Sequence, residues 1–176
     1  DMIWHPDGKR VIYVTKAKTG TEYTVSTNTD IFIYNVETGK TTNLTEGMKG
    51  YDTNPNISPD GNRIAWLSME REGYEADKNR IFVQDKKTNA KIDLTASFDE
   101  TVEAIRWSND GKYIYFISAI NGTLQLFELD VENSLTVVDN GGRKKNPIRQ
   151  ITEGDFDITG MVGEVNGTMV VTRTDM

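Results

Sequence analysis

The chain contains no cysteine, so it forms no disulfide and offers no thiolate to a metal. Histidine occurs once, at His5, and with no second ring to spare there is no Ser-His-Asp triad. No serine has glycine two residues to either side, so a nucleophile elbow is missing. A glycine-rich phosphate loop is missing too. These absences predict no catalytic residue, no cofactor and no metal within the chain. No apolar run approaches transmembrane length and no signal peptide is visible, so a membrane is not an expected partner. Positive charge is also short: the net charge is −7, which argues against nucleic acid and anionic lipid as partners. Finally, no segment sustains a 3.6-residue apolar period, which predicts almost no helix.

What the sequence has is a repeat. Asn56-Ile57-Ser58-Pro59-Asp60-Gly61-Asn62-Arg63-Ile64-Ala65-Trp66 joins two short apolar strands through a Pro-Asp-Gly turn, in which proline presets φ, Asp60 accepts amide hydrogen bonds and Gly61 takes positive φ. The turn recurs at Asp7-Gly8 and at Asp110-Gly111, and in worn form at Asn166-Gly167. From Asp7 to Asp60 is 53 positions and from Asp60 to Asp110 is 50. An Ile-Phe strand keeps step with it (Ile31-Phe32, Ile81-Phe82, Leu126-Phe127), followed by Leu44-Thr45, Leu94-Thr95 and Ile151-Thr152. Three features in one order at a fixed period mark a repeat architecture.

Each repeat reads as four strands, placed at 2–4, 10–15, 31–36 and 41–44, then 53–57, 63–68, 80–84 and 91–94, then 102–107, 113–118, 124–129 and 148–151. A fourth repeat begins with strands at 156–162 and 168–172. The middle strands are continuous apolar runs, such as Tyr113-Ile114-Tyr115-Phe116-Ile117, and so require cover on both faces. A β-sandwich provides such cover without explaining the period. The expected fold is therefore all-β, a β-propeller fragment of about three and a half four-stranded blades in an open arc. Its blades are expected at 1–45, 51–95, 101–152 and, in part, 155–174. Asp1-Met2-Ile3-Trp4 reads as the tail of a strand, so the chain reads as an excerpt of a longer protein. Uncapped end repeats predict self-association through exposed blade faces.

In an up-and-down blade, the loops between strands two and three share a face with the links between blades. That face carries the long insertions 16–30 and 69–79 and the links 46–52 and 96–100. Long loops on a rigid scaffold are where binding concentrates. The opposite face carries tight turns, with one long basic exception at 132–147 that includes Arg143, Lys144 and Lys145. Within 69–79, Glu70, Glu72, Glu75 and Asp77 lie close to Arg71, Tyr74 and Lys78. They form either a polar clamp for a peptide amine or a neighbouring domain, or a self-neutralising solvated excursion. Asp155 and Asp157 alternate along a strand and share a face, either as a calcium pair or simply solvated. His5 stands where the other two clear repeats have serine, and a turn-capping role is expected of it.

The Ser-Pro-Asp-Gly-x-Arg-Ile-Ala pattern, with its Ile-Phe strand and Leu-Thr, resembles the repeat of TolB-like propellers. The same propeller forms the N-terminal half of prolyl oligopeptidase-type serine peptidases. The stretches around Gly20-Thr21-Glu22-Tyr23 and 65–80 resemble bacterial dipeptidyl-peptidase and acylaminoacyl-peptidase relatives. That resemblance implies a serine exopeptidase as parent, periplasmic or secreted, with a C-terminal α/β-hydrolase domain as partner. The propeller would gate the entry of short peptides and offer acidic residues to the peptide's free amine, which selects Glu70, Glu72, Glu75 and Asp77 as a group. The sequence departs from the pattern at His5 (for serine), at Asn109 (for proline) and in having no hydrolase half, so by itself it should hydrolyse nothing. A TolB-like, non-enzymatic protein-binding propeller is the alternative that the repeat alone leaves open.

Overall fold

A strand that is apolar on both sides needs a neighbour on each. The computed structural model, which describes residues 1–140 and 147–175 (backbone alone for 136–140), supplies those neighbours by stacking sheets. The first sheet is an antiparallel meander of β1 (Met2–Trp4), β2 (Arg10–Thr15), β3 (Asp30–Asn35) and β4 (Thr41–Asn43). The second repeats it with β5 (Asp52–Ile57), β6 (Arg63–Ser68), β7 (Arg80–Asp85) and β8 (Lys91–Asp93). In the third the strands are β9 (Val102–Trp107), β10 (Tyr113–Ile120), β11 (Thr123–Asp130) and β12 (Ile148–Gln150). A hairpin of β13 (Phe156–Val165) and β14 (Thr168–Asp175) follows. Each sheet packs on the next, giving the all-β, open propeller fragment that the repeat foretold.

Strand alternation distributes the apolar side chains between two seams. Ile64 and Trp66 of β6 face the first sheet, where they pack with Ile12, Ile31 and Leu44. Their neighbours Ala65 and Leu67 face the third sheet and join Ile105, Ile114 and Phe116. One sheet later, Ile114 and Phe116 point back while Tyr115 and Ile117 point forward to Ile158 of the hairpin. Unbroken apolar runs are thus the signature of a middle layer. The seam between the second and third sheets is the largest, with Phe98, Phe116 and Phe127 packed ring on ring at 5.2–5.5 Å.

The repeated turn is built alike in each copy. Gly8, Gly61 and Gly111 have φ of 67°, 69° and 70°, the left-handed region that favours glycine. Ser58 Oγ donates to Asp60 Oδ1 at 2.6 Å and accepts from the Arg63 amide at 2.9 Å, and Ser108 does the same with Asp110 and Tyr113 at 2.7 and 2.9 Å. Donors from Ser58, first, and from Asn62 hold the Asp60 carboxyl down at about 2. At His5 the ring replaces the hydroxyl. Its Nδ1 lies 3.0 Å from Asp7 Oδ1, while Nε2 faces Arg10 at 2.9 Å and Lys86 at 2.7 Å. The Asp7 amide also donates to Nδ1 at 3.1 Å, so both ring nitrogens face donors, and the Asp7 carboxylate is held by Arg10 at 2.6 Å.

The recurring threonine has an equally specific task. The outer strand of each sheet is only three residues long, and just beyond it a threonine hydroxyl accepts from an amide of the third strand: Thr45 from Ile31 at 3.0 Å, Thr95 from Ile81 at 2.9 Å and Thr152 from Leu126 at 2.9 Å. In each case the preceding residue returns the pairing, Leu44, Leu94 and Ile151 donating to the carbonyl of the same third-strand residue. The side chain therefore continues a ladder that the backbone has left.

Two segments differ from the sequence expectation. Residues 16–30 contain a short helix, α1 (Thr21–Val25), and 132–147 opens within a second, α2 (Val131–Asn140). Asp130 caps α2 by accepting from the Asn133 amide at 3.0 Å. The basic residues Arg143, Lys144 and Lys145 lie outside the described residues. Asp155 precedes β13, so it does not alternate with Asp157 along a strand; Asp157 instead accepts from the Leu124 amide at 2.7 Å and ties the hairpin to the third sheet.

Candidate functional site

The meander puts the β2–β3 and β6–β7 loops on one face, and the two long loops meet there. In the first, Gly20 at φ 60° starts α1, which buries no side chain, and Lys16 lies 4.8 Å over the Tyr23 ring while donating to the Tyr23 carbonyl at 2.9 Å. Ser26, buried beneath it, donates to Glu72 of the second loop. Alongside, Thr27 Oγ1 accepts from the Gly73 amide at 2.7 Å. The two loops thus form one rim, stitched side chain to carboxylate and side chain to backbone.

The second loop, residues 69–79, folds on its own charges. Asp77 receives the Arg71 amide at 3.0 Å and the Arg71 guanidinium, which keeps the Asp77 carboxyl below its ordinary range. The same guanidinium stacks on Tyr74 at 4.1 Å. At its base the loop is anchored to the link beyond: Lys78 donates to the Phe98 carbonyl at 2.6 Å, and Asn79 donates to Thr101 at 3.1 Å. Gly50, in the preceding link, passes so close to Met69 that a Cβ there would overlap the Met69 carbonyl.

Behind the rim is a cleft of about 240 Å³ lined by Glu70, Asp77, Lys78, Arg80, Asp93 and Ala96. Arg80 crosses it, 3.7 Å from Glu70 and 3.6 Å from Asp93, and its Nε is buried without a hydrogen-bond partner. Of the four carboxylates singled out from sequence, Glu70 and Asp77 share this cleft. Glu72 is turned toward Ser26, and Glu75 is exposed. Asp7, Gly8, Asp60, Gly61, Asp110 and Gly111 belong to the turns at the other ends of the strands. Among the described residues no cluster of three or more His, Cys, Asp or Glu is arranged to hold a metal.

A buried polar knot under the rim escaped the sequence reading. Asp52, wholly inaccessible, accepts from Trp66 Nε1 at 3.2 Å, and its Oδ2 has no partner. Burial raises its carboxyl to about 6 from the ordinary 3.8, against the pull of Ser68, Thr45 and Trp66. Asp30 sits beside it, accepting from Thr45 Oγ1 at 3.2 Å. The signal available in the sequence was an aspartate at the end of a link, which nothing local distinguishes from a surface one.

The family model described as "TolB beta propeller domain" matches residues 2–175. The chain is 44% identical over 157 residues to dipeptidyl-peptidase 5 of Porphyromonas gingivalis, covering 89% of this chain and 21% of that protein. To dipeptidyl-peptidase 5 of Porphyromonas endodontalis it is 47% identical over 171 residues, covering 97% and 23%. The chain therefore spans about a fifth of the length of these curated relatives. Among solved structures, the acylaminoacyl peptidase of Pyrococcus horikoshii superposes with a TM-score of 0.69 at 17% identity, over 98% of this chain and 23% of that one, a likeness of fold.

Proposed function

The chain belongs to the TolB beta propeller domain family, and on that footing we propose that it is the non-catalytic propeller portion of a serine exopeptidase of the dipeptidyl- or acylaminoacyl-peptidase type. Identity of 44% and 47% to two dipeptidyl-peptidases, along almost the whole chain, is the observation that carries this reading. Its partner is a C-terminal α/β-hydrolase domain of the parent protein, and its ligands are short peptides. The parent works in the periplasm or outside the cell, as the family resemblance implies.

In this reading the stitched rim stands over the entrance to the hydrolase, limits what enters and orients the peptide N-terminus. Glu70, Glu72, Glu75 and Asp77 are the residues offered to the free amine. A carboxylate there accepts a charge-assisted hydrogen bond from the ammonium. Glu70 and Asp77 lead, because they share a cleft with room for a small group. Replacing each by its amide in the whole peptidase (Glu70→Gln, Glu72→Gln, Glu75→Gln, Asp77→Asn) is expected to raise KM for free-amine peptides about tenfold at the leading pair, matching the loss of one charge-assisted bond. N-blocked peptides should be unaffected. Equal effects on both would end the amine role. Labelling of the whole protein by a fluorophosphonate tests the peptidase assignment separately.

Exposed Tyr23, Val25 and Tyr74 on the same loops favour one rival reading, a TolB-like module that binds another protein across this rim. In that case the fluorophosphonate leaves the whole protein unlabelled.

A further inference from the structure

We propose that the cleft between the first and second sheets, on the face opposite the stitched rim, binds a small aliphatic monocarboxylate. It holds about 250 Å³. Ile12, Ile33 and Leu44 of the first sheet and Ile57 and Ile64 of the second form its apolar wall, and Arg63, which also lines it, is paired with Asp85 and Glu132. The mouth is basic. Lys86, on the β7–β8 turn, and Arg10, on β2, converge on His5 from opposite sheets, their nitrogens 2.7 and 2.9 Å from Nε2.

The charges in that mouth do not cancel. Both ring nitrogens of His5 face donors, and neither Nε2 nor the Gly61 carbonyl, to which Lys86 also donates, carries a charge to offset the two cations. Asp7 is the single carboxylate within ion-pair distance of this trio among the described residues, and it is held by Arg10 at 2.6 Å. Asp60, whose field also reaches Lys86, is committed to Ser58 and Asn62 at 2.6 and 2.8 Å. Two cations against one carboxylate leave a positive excess at the lip of a cavity with one wall of isoleucine and leucine.

That pairing defines the ligand. A carboxylate would accept charge-assisted hydrogen bonds from Lys86 and Arg10, and an aliphatic tail would displace water from the apolar wall. A tail without the acid would leave the cationic lip unmatched. The inference does not rest on the peptidase reading, because no part of that reading uses this face.

The test is calorimetric titration of 4-methylpentanoate into the chain, with 4-methylpentanol and acetate as tail-only and head-only controls. Saturable binding is expected, with both controls weaker by about tenfold or more. Lys86→Gln should weaken 4-methylpentanoate about tenfold and Lys86→Arg should retain it. Thr42→Trp, at an exposed position on the lip, should block the cleft while leaving Tm unchanged. No saturable binding, binding of either control as tight as that of 4-methylpentanoate, or an affinity indifferent to both Lys86→Gln and Thr42→Trp overturns the proposal.

Discussion

A carboxyl group sealed from water with one oxygen unpartnered is a cost carried by the folded state, and Asp52 is such a group. Below about pH 3.8 Asp52 is protonated folded or unfolded and the cost is absent; it grows as pH rises toward 6 and is complete above that. Asp52→Asn should therefore gain stability relative to the parent on going from pH 4 to pH 7.5, by about 2 kcal/mol. Denaturant unfolding at the two pH values reads this directly, and any steric cost of the amide cancels in the comparison. His5 behaves oppositely. Desolvation, then Arg10 and Lys86, lower its pKa, so its contribution is intact above the unfolded value of 6.5 and declines as pH falls below it. His5→Ser, which restores the residue of the other repeats, should flatten the fall in Tm between pH 7 and 5. The sequence showed His5 as an irregularity in a turn, but not the two cations, because Lys86 arrives from another sheet. It gave no hint of Asp52, whose burial exists only once two sheets have met.

At the scale of elements, periodicity carried most of the fold. All fourteen strands lie within three residues of where they were expected, because turn, apolar run and Leu-Thr recur in step, and β13 and β14 each run three residues past their expected ends. The Leu-Thr repeat was visible, though its purpose was not: a hydroxyl substitutes for backbone in holding a three-residue outer strand. Thr45→Val and Thr95→Val leave a buried third-strand amide unsatisfied, and each should cost about 1–3 kcal/mol in urea unfolding. The less buried Thr152 should cost less. Helix α2 was missed although its cap is written in Asp130, because one capped stretch, with Val131, Leu135 and Val138 at helical spacing, sat in a segment assigned to loop by its charge. Of the candidate site, the sequence supplied the loops and the acidic residues. The pairing of Ser26 with Glu72 and of Arg71 with Asp77 needed coordinates, since it depends on which way each loop turns.

The whole molecule is an open stack whose two end layers expose Met2 and Trp4 on one side and Val162, Val165 and Val170 on the other. We propose that copies of the chain associate through these layers. Light scattering should find the chain larger than a monomer, and Trp4→Lys with Val165→Lys should return it to one. The stack is not uniform along its length. Its second seam is a dry interlock of aromatic rings, reinforced by Trp107 donating to the Asn56 carbonyl at 3.0 Å. The first seam has Asp52 at one end and a cationic cleft at the other, with Trp66 between them. A junction with charged ends yields before a wholly apolar one. If the arc breathes, it pivots where the first sheet meets the second, and amide exchange should quicken in β2 and β3 ahead of β10 and β11. That pivot lies directly beneath the contact between Ser26 and Glu72, so the two lips of the rim would part whenever the layers below them tilt.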